Sequence, residues 1–211
     1  VMEFYGKSFP EAVEMLIGEK GEGQAEAVPA PSPEFHLPLR SVTNVNAMNY
    51  LVTERGIDEG LANVFINTGD IYEDAKHHDV VFVGRDTKNL PRYAHCRSTK
   101  DCFRQDVAGS DKSYGFGYRG KNDKLYVFEA PIDLLSFINL FPKDWQDNSY
   151  LSLGGGAYKA LQQFIEDHQQ ITGIYLCLDN DKAGEAACIQ LNKEIPKDKM
   201  VYRMRPPVKD W

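Results

Sequence analysis

Apolar positions change their period twice along the chain. From Phe9 to Ile17 (FPEAVEMLI) they recur at helical spacing behind Ser8, a cap candidate, with Glu11 three residues further on. The stretch GEKGEGQAEAVPAPSPE that follows offers little to bury, and its Gly, Ala, Pro and Glu content predicts a flexible linker, so residues 1–34 read as a helix and linker. Asn46 to Glu54 carries a second helical pattern, and RGIDEGLANVFINTG predicts a short helix stopped by Gly69. The period then falls to two. VVFVG, PRYAHCRS and YGFGY predict strands between turns rich in Gly, Asp and Lys, so residues 35–120 read as an antiparallel α+β lobe.

Past Lys121 strands and helices alternate: LYVFEA, IDLLSFINLF, YLSLGGG, YKALQQFIEDH, GIYLCLDND, AGEAACIQLNKEI and MVYRM. Apolar strands separated by amphipathic helices predict an α/β, Rossmann-like domain over residues 121–211, a mostly parallel sheet with helices on both faces. Such sheets present ligand-binding groups at the carboxyl ends of their strands.

Composition sets outer bounds. With 42% hydrophobic and 26% charged residues in 211, the chain is in the range of ordinary globular domains. It has no apolar run of the roughly 20 residues that would span a bilayer and no basic-then-apolar start of a signal peptide, so the expectation is a cytoplasmic protein with no membrane partner. Cys96, Cys102, Cys177 and Cys188 form no CxxC pair and read as reduced thiols; Cys96, Cys102 and His95 lack the tight spacing of a zinc site. His77 and His78 read as surface residues.

Net charge is -7, but residues 85–124 carry ten Lys and Arg against five Asp and Glu. A local basic segment can hold a polyanion despite an acidic total, because affinity follows the phosphates neutralised locally; a solvated loop region accounts for the same charges equally well. Arg85, Arg92, Arg97, Arg104, Lys112 and Arg119 are the candidates for a template track, with Tyr93, Phe103, Tyr114, Phe116 and Tyr118 interleaved as stacking platforms, about half of which are expected in the core.

Three carboxylates fall where a parallel sheet presents ligands: Glu129 closes the first strand, and Asp179 and Asp181 follow the third. Converging carboxylates repel one another unless a cation intervenes, and hard oxygen donors select Mg²⁺ or Mn²⁺. An isolated DxD is more often a helix cap; Glu129 after LYVF tips the reading toward a site. Gly154, Gly155 and Gly156 at a helix start suit either a phosphate cradle or a tight turn, and Lys159 one turn on could reach the same anion.

VFEAPIDLLSF resembles the glutamate motif of Toprim domains, LCLDNDKAGEAA resembles their DxD motif, and LSLGGGAYKAL between them is similar to the glycine turn of that domain in bacterial primases. The resemblance covers roughly residues 44–211: NYLVTERGIDEGLANVFINTG is similar to the stretch preceding Toprim in primase-like proteins, and GSDK at 109–112 to their lobe-linking motif. FYGKSFPEAVEMLIGEKG looks like the segment after a CHC2 zinc ribbon, which makes Val1 the expected cut edge of a longer protein.

The resemblance implies that Glu129, Asp179 and Asp181 are catalytic and, with Asp210 in the terminal PPVKDW, ligate Mg²⁺ or Mn²⁺, a further acid lying beyond Trp211. It singles out Lys112 in GSDK for template or nucleotide contact; from charge and the helix start, Arg85, Arg92, Arg97, Arg119, Gly154, Gly155 and Lys159 are the other candidates for nucleic-acid or nucleotide binding. The expected activity is that of a primase-like nucleotidyltransferase in the DNA replication of a mobile element or plasmid. Its expected partners are single-stranded DNA template, nucleoside triphosphates and a helicase or relaxase of the same element. A Toprim nuclease and a non-catalytic nucleic-acid-binding module are the alternatives.

Overall fold

The computed structural model describes residues 33–154 and 158–211; the helix expected over Phe9 to Ile17, its linker and the Gly155 position lie outside the described residues. Residues 33–211 cluster as one compact unit. Its first helix, α1 (Val45–Met48), runs on as a π-helical stretch over Asn49–Glu54 and is followed by α2 (Glu59–Thr68). Asp58 caps α2 by accepting from Leu61 N–H at 2.9 Å, and Gly69 ends it at φ 76°, a left-handed value open to glycine.

Four antiparallel strands then form a sheet in sequence order: β1 (Ile71–Glu73), β2 (Val80–Arg85), β3 (Pro91–Arg97) and β4 (Arg104–Asp106). Alternation along β2 divides its faces. Val80 and Phe82 enter a core with α1 and α2, whereas Val81 and Val83 pack with Tyr72, Ala94, Phe35 and Leu37 on the other side.

The second sheet has the order β5-β7-β6-β8-β9: β5 (Gly117–Tyr118), β7 (Ser149–Ser152), β6 (Lys124–Phe128), β8 (Gly173–Leu176) and β9 (Met200–Arg203). All neighbours are parallel except β5, which runs against β7. The expected YGFGY strand contracts to Gly117–Tyr118. On one face α3 (Pro131–Leu140) adds Leu134, Leu135, Phe137 and Ile138 to the core shared with α1, α2 and Phe82; on the other, α4 (Tyr158–Asp167) and α5 (Lys182–Glu194) cover Leu125, Val127, Ile174 and Leu176.

Tyr150, Tyr126, Tyr175 and Tyr202 are direct neighbours on consecutive strands of that sheet. Their rings stack with centroids 5.5, 4.7 and 4.9 Å apart and interplanar angles of 20° or less. No helix of the described residues is long and apolar enough to cross a membrane.

The order matters for function. The order of strand addition reverses about β6, with β7 on one side of it and β8 on the other. Sheets of this kind bind ligands in the crevice at the switch point, here the carboxyl ends of β6 and β8, the strands that end in Glu129 and in the Asp179 loop.

Candidate active site

Glu129 is the first residue beyond β6, and its Oε1 accepts from the Asp179 N–H at 3.2 Å, which ties the two strand ends together. Asp181 is the N-cap of α5 and accepts from Gly184 N–H at 2.9 Å. The cap reading is thus realised for Asp181, yet its second oxygen remains 3.9 Å from the Lys209 ammonium. Gly184 is required because a side chain there would collide with the Asp179 carbonyl, so the loop and the helix start are pressed together.

Asp210 arrives from the C-terminal segment, which is held against the same loop. Asn180 N–H donates to the Lys209 carbonyl at 2.7 Å, and the Trp211 indole N–H donates to the Cys177 carbonyl at 2.7 Å. A fifth carboxylate, Asp133, enters from the first turn of α3, where it accepts from Ala130 N–H at 3.2 Å. Sequence reading passed over Asp133 because PIDLL is an ordinary helix start; its spacing of four residues from Glu129 was the available signal.

These groups disturb one another. Burial pushes the Asp179 carboxyl above its ordinary value, and Glu129, Asp210 and Asp181 push it further, with only Lys209 opposing. Asp133 is raised to about 7, first by burial and then by Asp179, Asp210 and Glu129, against the Ala130 hydrogen bond. Hard oxygen donors that resist ionising together are a donor set suited to Mg²⁺ or Mn²⁺. Among the described residues no three acidic, histidine or cysteine groups converge closely enough to enclose an ion.

The expected basic track meets internal partners at most positions. Arg85 pairs with Asp70 at 2.6 Å and donates to the Gly69 carbonyl, Arg92 pairs with Asp86 at 2.8 Å, and Arg119 donates to the carbonyls of Arg85 and Asp86. Arg97 stands directly opposite Arg104 across β3 and β4; neither meets a carboxylate among the described residues, and Arg97 and Arg55 both donate to the Tyr50 hydroxyl. Lys112 pairs with Asp106, which also accepts from the Tyr93 hydroxyl at 2.6 Å and meets His95 Nδ1 at 2.7 Å. Burial, with Arg104, Arg97 and Lys112 alongside, lowers the His95 imidazole to about 4 and keeps it neutral.

Of the interleaved aromatics, Tyr93 and Phe116 are core residues, Tyr114 and Tyr118 are half-buried, and Phe103 is exposed. All four cysteines are free thiols. His77 is exposed, and His78 meets Glu73 at 2.6 Å. Gly154 has φ 53° and sits where a side chain would strike the Tyr93 hydroxyl; its N–H donates to the Glu129 carbonyl at 3.2 Å. Lys159 is exposed on α4.

A mostly parallel sheet with carboxylates at its switch point, preceded by an antiparallel α+β lobe, is a fold shared with primase catalytic cores. Residues 126–211 match the Toprim-like family, and residues 49–122 match a family described as a protein of unknown function, DUF3991. The match thus places a Toprim-like domain over residues 126–211. The primase fragment of the bacteriophage T7 primase-helicase has a similar structure, with a TM-score of 0.60 and 24% identity, over 75% of this chain and 65% of that one. The Escherichia coli primase catalytic core is similar at a TM-score of 0.54 and 13% identity, over 81% of this chain and 68% of that one. An uncharacterized Bacillus anthracis protein, pXO2-78, is 27% identical over 88% of this chain and 59% of its own length. This chain thus spans about three fifths of that relative.

Proposed function

We propose that this chain is the catalytic portion of a metal-dependent, primase-like nucleotidyltransferase that acts on single-stranded DNA with nucleoside triphosphates, in the replication of a plasmid or other mobile element. The observation that carries the reading is the Glu129 to Asp179 contact at the β6/β8 crevice, with Asp133, Asp181 and Asp210 within electrostatic reach. Glu129, Asp179, Asp181 and Asp210 would hold Mg²⁺ or Mn²⁺, which when bound would neutralise the charge of a triphosphate. Arg97 and Arg104, opposed without a carboxylate among the described residues, supply a place for nucleic-acid phosphate. Lys112, held by Asp106, is the cation assigned to the template or nucleotide. Among the similar structures, T7 primase domains are bound to an RNA/DNA hybrid and dTTP, and a bacterial primase catalytic domain to single-stranded DNA. The plasmid setting rests on the pXO2-78 likeness, and a helicase or relaxase of the same element and a cytoplasmic location follow from the same reading.

The test is calorimetric titration of Mn²⁺, with and without nucleoside triphosphate, into the chain and its Asp179→Asn/Asp181→Asn variant, followed by oligonucleotide synthesis on single-stranded DNA. Binding by the unsubstituted chain alone, strengthened by triphosphate, is expected. Metal-dependent strand cleavage without synthesis would favour a Toprim nuclease instead. DNA binding with no metal binding would leave a nucleic-acid-binding module.

A further inference from the structure

The loop that carries Asp179 and Asp181 leaves the sheet after Cys177, whose N–H makes the last ladder bond to the Val127 carbonyl. Beyond that point the loop's own carbonyls have no strand to face, and buried carbonyls need donors from elsewhere. Arg203, the last residue of β9, supplies donors for two of them, Leu178 and Asp179, and for carbonyls on either side of the loop. Its Nη1 donates to the carbonyls of Leu176 at 3.1 Å, Leu178 at 3.0 Å and Met204 at 2.7 Å. Its Nη2 donates to the Asp179 carbonyl at 2.9 Å and to Glu185 Oε1 at 3.1 Å, and its Nε reaches the same Glu185 oxygen at 3.2 Å.

One largely buried guanidinium therefore joins the end of β8, the Asp179 loop, the start of the C-terminal segment and the first turn of α5. Each of those pieces bears on a carboxylate of the crevice: the loop holds Asp179, the α5 turn is capped by Asp181, and the C-terminal segment carries Asp210. Glu185 faces two arginines, since Arg205 also binds it at 3.1 Å through both of its oxygens, but among the described residues Arg205 donates to no loop carbonyl. The two arginines thus share a carboxylate and differ in whether they grip the loop.

We infer that Arg203 is a positioning residue for the metal site, fixing the spacing of Asp179, Asp181 and Asp210 through the backbone that carries them. The inference rests on the proposed function, because those carboxylates must be the ones that hold the ion. Planarity is what the role needs. A guanidinium has five donors in a fixed fork, whereas a lysine ammonium at the same position is a point charge that cannot reach four carbonyls and Glu185 together. Partners that orient metal ligands typically contribute about 10- to 100-fold to affinity.

The experiment is Mn²⁺ titration, by calorimetry and without nucleotide, of the unsubstituted chain and of Arg203→Lys, Glu185→Gln and Arg205→Ala, alongside metal-free melting curves for each. Arg203→Lys is expected to weaken Mn²⁺ by about tenfold or more. Arg205→Ala should stay within about twofold, and Glu185→Gln, which removes a charge that orients the fork, should fall between them. A purely structural arginine would lower the metal-free melting temperature and leave the affinity of the folded protein unchanged; that outcome overturns the positioning role. If Arg203→Lys does not fold, Glu185→Gln decides, and an affinity equal to that of Arg205→Ala overturns it. Absence of Mn²⁺ binding by the unsubstituted chain overturns the proposed function and the positioning role together, whereas binding indifferent to Arg203 overturns the positioning role alone.

Discussion

The Tyr93 hydroxyl occupies the place that a side chain on Gly154 would take, so the antiparallel sheet meets the parallel sheet at this glycine. The same hydroxyl donates to Asp106, and the Gly154 N–H donates to the Glu129 carbonyl. Gly154→Ala must therefore accept a left-handed backbone and displace Tyr93. It should cost about 2–3 kcal/mol in urea denaturation, roughly 1 kcal/mol of it from the backbone conformation. Combining it with Tyr93→Phe should recover part of the loss in a double-mutant cycle. Additive losses would mean that the close approach carries no energy.

Lys112 pairs with Asp106 through a side chain 39% exposed, so its contribution to stability is small, about 0–1 kcal/mol. Lys112→Ala should melt within a few degrees of the unsubstituted protein. If Lys112 contacts a phosphate, the log–log salt slope for binding an oligothymidine should fall by about 0.7, the increment for one contact on a single strand. An unchanged slope would confine Lys112 to its pairing with Asp106.

Glu73 is fully buried and accepts from the N–H groups of Asn46 at 2.7 Å and Ala47 at 3.0 Å, from the Asn46 side chain, and from His78. Burial alone would raise its carboxyl, but the hydrogen bonds from Asn46, Ala47 and His78 prevail and hold it below the usual value of 4.5. A carboxyl lowered in the fold gives stability that is complete above its unfolded value and lost as pH falls through the folded one. Melting temperature should therefore hold above about pH 5 and decline below it. Glu73→Gln should cost about 2–3 kcal/mol at pH 7 and flatten that decline.

Asp133 has the opposite sign. Raised from 3.8 to about 7, it is harmless when protonated, and its cost to stability grows as pH rises between those values. In chelator, Asp133→Asn should raise the melting temperature at pH 8 by several degrees and change little at pH 4, since an amide oxygen can still accept from Ala130. Adding Mn²⁺ at pH 8 should stabilise the unsubstituted chain more than the variant. Equal gains would place Asp133 outside the ion's reach.

The strand and helix alternation past Lys121 was legible because the periods of two and 3.6 are local properties of the sequence, and the motif carboxylates at strand ends followed from them. Pairings that depend on tertiary geometry were not legible. Arg85 finds Asp70 across the β1–β2 hairpin, and Arg119 finds two carbonyls more than 30 residues away, partners that the charge pattern alone does not disclose. The π-helical stretch over Asn49–Glu54 has no periodic signature distinct from an α-helix. Arg203 looks like one more residue of a short strand, since nothing in MVYRM discloses that four carbonyls gather around it.

The stacked tyrosines carry a consequence for the crevice. A strand sliding by one residue would turn its ring to the opposite face, where α4 and α5 already fill the space, and sliding by two would break the stack on both sides. The ladder thus acts as a depth gauge: it fixes how far β6 and β8 protrude before each releases its acid. Glu129 and Asp179 meet at one height because Tyr126 and Tyr175, three and four residues earlier, are held face to face.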